Sequence, residues 1–339
     1  MKDPEEKPFH EKSFHEKPVH WSRQKEQAAG YWHLKFLLVL FRVFPLIVLR
    51  LLAFPVGFFY FLFSKSGRTE SHRFLTRAAP FVDNSIAAHR CRSPLGPLMH
   101  IISFSLSLVE KLQSWGGKFL LLDVHYQDDD VAELIEGLEN GKGAFLITSH
   151  LGNIELLRGL VHHNRTSVSK ELPITAIVDV KATGHFNRMI KELNPKSGLN
   201  IISTNEIGPH TAVLLEEKLA AGEMVTVAGD RTSAGSFERN LMIPFLGEEA
   251  PFSPGAFYLA ALLKAPVYFI FALRQKVWSL RPKYDMHVHK FGLSSDSTRK
   301  ERAAKSAELV RSFAELLERY CKKNPFQWYN FYDFWSKGG

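Results

Sequence analysis

Residues 144–155 read Ala144-Phe145-Leu146-Ile147-Thr148-Ser149-His150-Leu151-Gly152-Asn153-Ile154-Glu155. The first five form an apolar run of strand length, Gly152 suits a tight turn, and Asn153 is a good helix N-cap. The stretch therefore reads as buried strand, turn and helix start, with His150 in the turn and Glu155 in the first helical turn, where the two side chains can converge.

The same alternation extends outward from this point. Strands are expected at Phe119–Val124, Ile174–Val178, Leu199–Ser203, Met224–Ala228, Leu241–Phe245 and Pro266–Leu273. Helices are expected at Asp130–Leu138, near 153–163, 184–193, 209–221 and 254–264, and from about Ser297 to Lys322 before Pro325. Strands alternating with helices predict an α/β fold, a mixed central sheet flanked by helices. With 339 residues, 45% of them hydrophobic, the chain is long enough to bury a large core.

Upstream, the organisation changes. Residues 6–20 carry three five-residue repeats that place His10, His15 and His20 in a polar, Pro-containing tract, so 1–30 reads as a disordered, solvated tail. No acid or Cys completes a closed metal-ligand set with those histidines. Residues 31–65 read as an N-terminal hydrophobic membrane-anchoring segment. Arg42, Pro45, Arg50 and Pro55 interrupt its apolar run, so a bent span, an interfacial anchor and a buried hairpin of core helices all fit. Residues 66–335 make the main domain. The basic cluster Lys65, Arg68, Arg73 and Arg77 favours a cytoplasmic side for it.

The charge balance narrows the partners. Lys and Arg outnumber Asp and Glu by 43 to 35, for a net charge of +8, so an anionic partner is favoured. Dispersed basic residues without a nucleic-acid motif argue against DNA or RNA, while 27 Phe residues point to lipid. Cys91 and Cys321 stand far apart, outside any metal spacing, and suggest neither disulfide nor zinc site. No phosphate-loop or dinucleotide glycine pattern is present.

A histidine beside a carboxylate is the composition of a general base: the acid fixes the ring tautomer and stabilises the imidazolium. His125 and Asp130 repeat the five-residue spacing, but they lie in an acidic helix cap, so His150 with Glu155 is the preferred pair. The competing reading of His150 is a structural histidine at a strand end. Asp230 and Arg231 follow the Met224–Ala228 strand at the carboxyl edge, where open α/β sheets place ligands; a plain ion pair is the competing account.

The stretch SHLGNIE resembles the His-x4-acid motif of the lysophospholipid acyltransferase superfamily, in particular its lipid A biosynthesis lauroyl/myristoyl branch. Three further blocks agree in order: Gly229-Asp230-Arg231 with Ile243-Pro244-Phe245-Leu246-Gly247, then Ala265-Pro266-Val267, then Asn324-Pro325-Phe326-Gln327-Trp328. The resemblance implies acyl transfer from acyl carrier protein or acyl-coenzyme A to a lipid acceptor at the inner membrane, with His150 as base oriented by Glu155. Asn153, Arg188, Asp230 and Arg231 are then the expected substrate-binding residues, Arg188 as an oxyanion or phosphate contact. The chemistry requires no metal and no cofactor. Val178-Asp179-Val180, the Asp230-Arg231 pair and Phe331-Tyr332-Asp333 depart from the family pattern and mark a divergent branch whose acceptor the sequence leaves open. A lipid-binding protein without turnover and a lipid hydrolase are the rival functions.

Overall fold

The computed structural model describes residues 36, 39–128, 130–153, 155–179, 192, 200–231, 239–263, 265–292 and 298–336. The tail at 1–30 lies outside them, as does the expected helix at 184–193 except for Glu192. Nine strands are described: β1 (Val124–Tyr126), β2 (Ala144–Thr148), β3 (Ile174–Val178), β4 (Asn200–Ser203), β5 (Met224–Ala228), β6 (Leu241–Phe245), β7 (Glu248–Phe252), β8 (Val267–Arg274) and β9 (Tyr284–Phe291).

Seven of them form one mixed sheet in the order β1-β9-β8-β2-β5-β3-β4. All neighbours are parallel except β8 and β9, which pair antiparallel. β6 and β7 form a separate antiparallel hairpin, turned at Leu246 and Gly247, both with positive φ. Every residue of β2 and β8 is buried, as expected of central strands covered on both faces. One core cluster joins Phe145, Ile147, Val225, Val227, Phe269 and Phe271 to Phe257, Phe313 and Leu317; a second, on the other face, joins Leu146, Tyr268 and Ile270 to Leu134, Leu156 and Leu160. Strand alternation produces these two faces.

The helices are α1 (Leu46–Phe63), α2 (Lys65–Ala78), α3 (Ser85–Arg92), α4 (Gly96–Trp115), α5 (Asp130–Glu139), α6 (Glu155–His162), α7 (Pro209–Ala220), α8 (Gly255–Leu262) and α9 (Arg299–Lys323). α9 begins with a capping box between Thr298 and Glu301. α1 is long and apolar enough to cross a membrane, and it runs without a break through Pro55, which sits on the exposed side. A proline there gives up a hydrogen bond without pushing its ring into neighbouring protein.

The fold departs from the sequence expectation in three places. Phe119–Val124 is not a strand: a 3-10 turn occupies Leu121–Asp123, and only Val124 enters the short edge strand β1. β7 and β9 lie outside the expected strands, although β9 alternates buried and half-buried residues from Tyr284 to His289. The helices α2, α3 and α4 fill residues 65–115, where no element boundaries are expected from sequence.

Candidate active site

β2 delivers His150 to the carboxyl edge of the sheet, and the turn after it is clamped from three sides. Gly152 has φ +80°, and a Cβ on it would come within 2.0 Å of the Ala272 carbonyl oxygen, so only glycine fits. The Gly152 N–H donates to the Gln327 carbonyl (2.8 Å) and the Asn153 N–H to the Ala272 carbonyl (2.9 Å), while the His150 carbonyl accepts from the Tyr329 N–H (3.1 Å). Gln327 reads both backbone groups of Arg274: its Oε1 accepts from the N–H (2.8 Å) and its Nε2 donates to the carbonyl (2.9 Å). The closing Asn324–Trp328 segment therefore locks the His150 turn onto the end of β8.

The carboxylate against His150 belongs to Asp230. His150 Nδ1 lies 2.8 Å from Asp230 Oδ1, and the His150 backbone N–H donates to Asp230 Oδ2 at 2.7 Å. The Trp328 indole N–H donates to the same Oδ2 at 3.0 Å. The register of the sheet explains the meeting. Thr148 on β2 is level with Ala228 on β5 in a parallel pair, so residues two further along each strand, His150 and Asp230, emerge side by side.

Glu155 is placed differently from the sequence expectation. Its carboxylate accepts from the Trp115 indole N–H (2.9 Å) and from Arg158 Nη1 (2.9 and 3.0 Å), a buried pair at the start of α6. The helical turn carries it toward α4 and not to the His150 ring, against which the Asp230 carboxylate lies instead. Asn153 is fully buried, and its Oδ1 accepts from the Glu155 N–H (3.2 Å) in the expected capping role. Its Nδ2 makes no hydrogen bond among the described residues. Arg188 lies outside the described residues.

The rival pair does not assemble. His125 is exposed on edge strand β1, while the Asp130 carboxylate receives the Lys290 N–H at 2.8 Å.

Electrostatics set the protonation of the pair. Burial, followed by the positive charge of Arg231, pulls His150 below its ordinary 6.5, against the opposing pull of Asp230. Burial alone would raise the Asp230 carboxyl, but His150 and the hydrogen bonds from His150 and Trp328 hold it below its usual range. At neutral pH the ring is neutral and the carboxylate ionised, so Nδ1–H is the donor and Nε2 keeps its lone pair. Asp230 is sealed, whereas the His150 side chain is 24% exposed.

Two positive charges act on His150. The Arg231 guanidinium lies 5.9 Å from the Tyr332 ring centre, and Lys111 of α4 adds a positive charge felt by His150. Burial, the second charge of Arg231 and the opposing Glu155 leave the Lys111 ammonium below its ordinary value. Lys111 carries no sequence signal, and the contribution of Trp328 to Asp230 is equally silent in the sequence.

The separate blocks converge here. Phe245 of the Pro244-Phe245 block packs edge-on against Trp328 at 5.3 Å, and Ala265-Pro266-Val267 leads into β8, whose end holds the turn. No curated protein matches the chain. The model of the bacterial lipid A biosynthesis acyltransferase family matches residues 16–337, and the chain belongs to that family.

Proposed function

We propose that the protein transfers a fatty acyl chain from an acyl thioester, on acyl carrier protein or coenzyme A, to a hydroxyl or amine of a lipid acceptor. It does so at the cytoplasmic face of a bacterial-type inner membrane. The observation carrying this reading is the His150–Asp230 pair: a neutral imidazole whose Nδ1–H is committed to a buried carboxylate, leaving Nε2 as the base.

In this scheme His150 Nε2 takes the acceptor's proton as the acceptor oxygen or nitrogen bonds to the thioester carbonyl carbon. The C=O electron pair moves to oxygen, giving a tetrahedral oxyanion, and Asp230 stabilises the imidazolium. Collapse breaks the C–S bond, and the thiolate leaving group recovers the proton from His150. Arg231 and Lys111 supply positive charge toward the developing oxyanion or an acceptor phosphate, a contribution of order 3 kcal/mol for one well-placed donor. Arg188 remains the sequence-based candidate for the same task. Glu155 neutralises part of this cationic wall and fixes the start of α6.

Lipid mass spectrometry of cells expressing the wild type or His150→Ala tests the proposal. A lipid heavier by one acyl unit that vanishes with His150→Ala is the expected result. Free fatty acid in its place means hydrolysis, and identical lipid profiles mean a binding protein without turnover.

A further inference from the structure

α1 is seated on the globular domain along most of its length. Leu49, Arg50, Ala53 and Gly57 form one buried face at i, i+4 spacing, packed on Leu106, Val109 and Leu112 of α4. At Gly57 the two backbones come so close that an added Cβ would lie 3.2 Å from the Ile102 Cα and 3.0 Å from the Ser105 Oγ. Further along, Tyr60 and Phe61 pack against Ile101, Tyr329 and Phe331.

Arg50 is the only charged residue of α1, and it points inward. Its Nη1 donates to the Leu280 carbonyl at 2.9 Å and its Nη2 to the Gln113 side chain. The helix beneath cannot enter hydrocarbon, because α4 buries Glu110 in an ion pair with Arg274 (3.0 Å) and holds His100 and Ser103 in the interior. It is also locked to α6, where a Cβ on Gly159 would lie 2.7 Å from Ser114.

The opposite face of α1 is entirely apolar and open: Ile47, Leu51, Leu52, Val56, Phe58, Phe59, Leu62 and Phe63 are exposed. Basic groups stand at its end. Lys65 is exposed, and Arg68 donates to the Leu62 carbonyl at 2.6 Å and to that of Phe61; Arg73, also exposed, pairs with Glu70 (3.0 Å) and Asp333 (3.4 Å). An apolar stripe ending in a basic cluster matches an anionic lipid surface, where acyl region and headgroup meet.

We propose that α1 does not span the bilayer but lies in the plane of an anionic membrane surface, one face held by α4 and the other sunk into a single leaflet. This rests on the membrane association within the function proposed above and adds its geometry. Spanning would require α1 to leave α4, carrying Arg50 away from its Leu280 and Gln113 partners.

Depth measurement on the full chain tests this. Ile47→Cys, Leu51→Cys, Phe58→Cys and Leu62→Cys lie on one exposed stripe covering about 22 Å of helix at 1.5 Å per residue. Cys91 and Cys321 are buried, so a fluorophore reacts at the introduced thiol. The labelled proteins are bound to vesicles containing one-third phosphatidylglycerol, with nitroxide-labelled lipids placed at shallow or deep positions in the outer leaflet only. The expected result is equal, shallow quenching at all four sites. Quenching that puts Leu51 and Phe58 roughly 6 Å deeper than the ends, with one end beyond reach of the outer leaflet, is a spanning helix and overturns the proposal while leaving membrane association intact. No quenching at any site, with lipid acylation still dependent on His150, overturns the membrane contact and spares the acyl transfer.

Discussion

Asp230 Oδ2 receives two N–H groups, the His150 backbone at 2.7 Å and the Trp328 indole at 3.0 Å, so the carboxylate that grips the His150 ring is itself held by the closing segment of the chain. Trp328→Phe keeps the aromatic packing and deletes one of these donors. The expected cost is about 1–3 kcal/mol of unfolding free energy, for a buried carboxylate left one hydrogen bond short. Denaturant titration measures it, and kcat should fall less than for removal of Asp230 itself.

The two carboxylates near the turn separate by readout. Asp230→Asn should lower kcat by roughly 10²–10⁴, since the amide neither stabilises the imidazolium nor enforces the Nδ1–H tautomer. Glu155→Gln should show first in stability, with a loss on the order of 3 kcal/mol, because Arg158, buried beside it, loses its counter-charge. Parallel kcat measurements and urea melts distinguish them. A large stability loss in Asp230→Asn with unchanged kcat per folded molecule would contradict the assignment.

The pH dependence follows from the sign of the His150 shift. The base must be neutral, and its pKa lies below 6.5, so kcat/KM should fall only as pH drops below that value. Arg231 is the second cause of the depression, after burial. Arg231→Met should therefore move the acid limb upward toward 6.5, whatever it does to the maximal rate, while Arg231→Lys should leave the limb near its original position. A full pH profile of each variant reads this directly.

His100 ties acid stability to the same region. It is fully buried: its Nε2–H donates to the Trp328 carbonyl at 2.9 Å, and its Nδ1 lies 3.0 Å from the Ser71 hydroxyl. Burial pulls it down to about 3, against 6.5 when unfolded. The unfolded state therefore binds the proton first. The stability contributed by the neutral ring is complete above pH 6.5 and is lost as pH falls toward 3, at about 1.4 kcal/mol per pH unit. His100→Gln should flatten the stability profile across that window in denaturant melts at stepped pH.

Gly152→Ala tests the turn. With φ +80° and the Ala272 oxygen 2.0 Å from the new Cβ, backbone must move. A loss of several kcal/mol, or failure to accumulate folded protein, is expected. Gly137→Ala, on an open helical surface with nothing within 4 Å, is the matched control and should be neutral or slightly stabilising.

The local chemistry of residues 144–155 was legible from the chain alone. An apolar run, a glycine and an Asn cap place His150 in a strand-to-helix turn in any α/β fold, because strand periodicity and cap preference act over a few residues. The family blocks at Gly229-Asp230, Pro244-Phe245 and Gln327-Trp328 were equally visible, and so was the apolar character of α1. The partner of His150 was not legible. Spacing points to Glu155, five residues away, but which carboxylate meets the ring depends on β5 lying beside β2 with Ala228 level with Thr148. Strand order and register are set by burial of both sheet faces across the whole domain, so the 80-residue step from His150 to Asp230 leaves no mark on the local sequence. The same holds for α1: its composition admits a bent span, an interfacial anchor or a core hairpin alike, and only the tertiary structure, which turns Arg50 inward onto Gln113 and Leu280, shows that one face is bound to protein while the other faces outward.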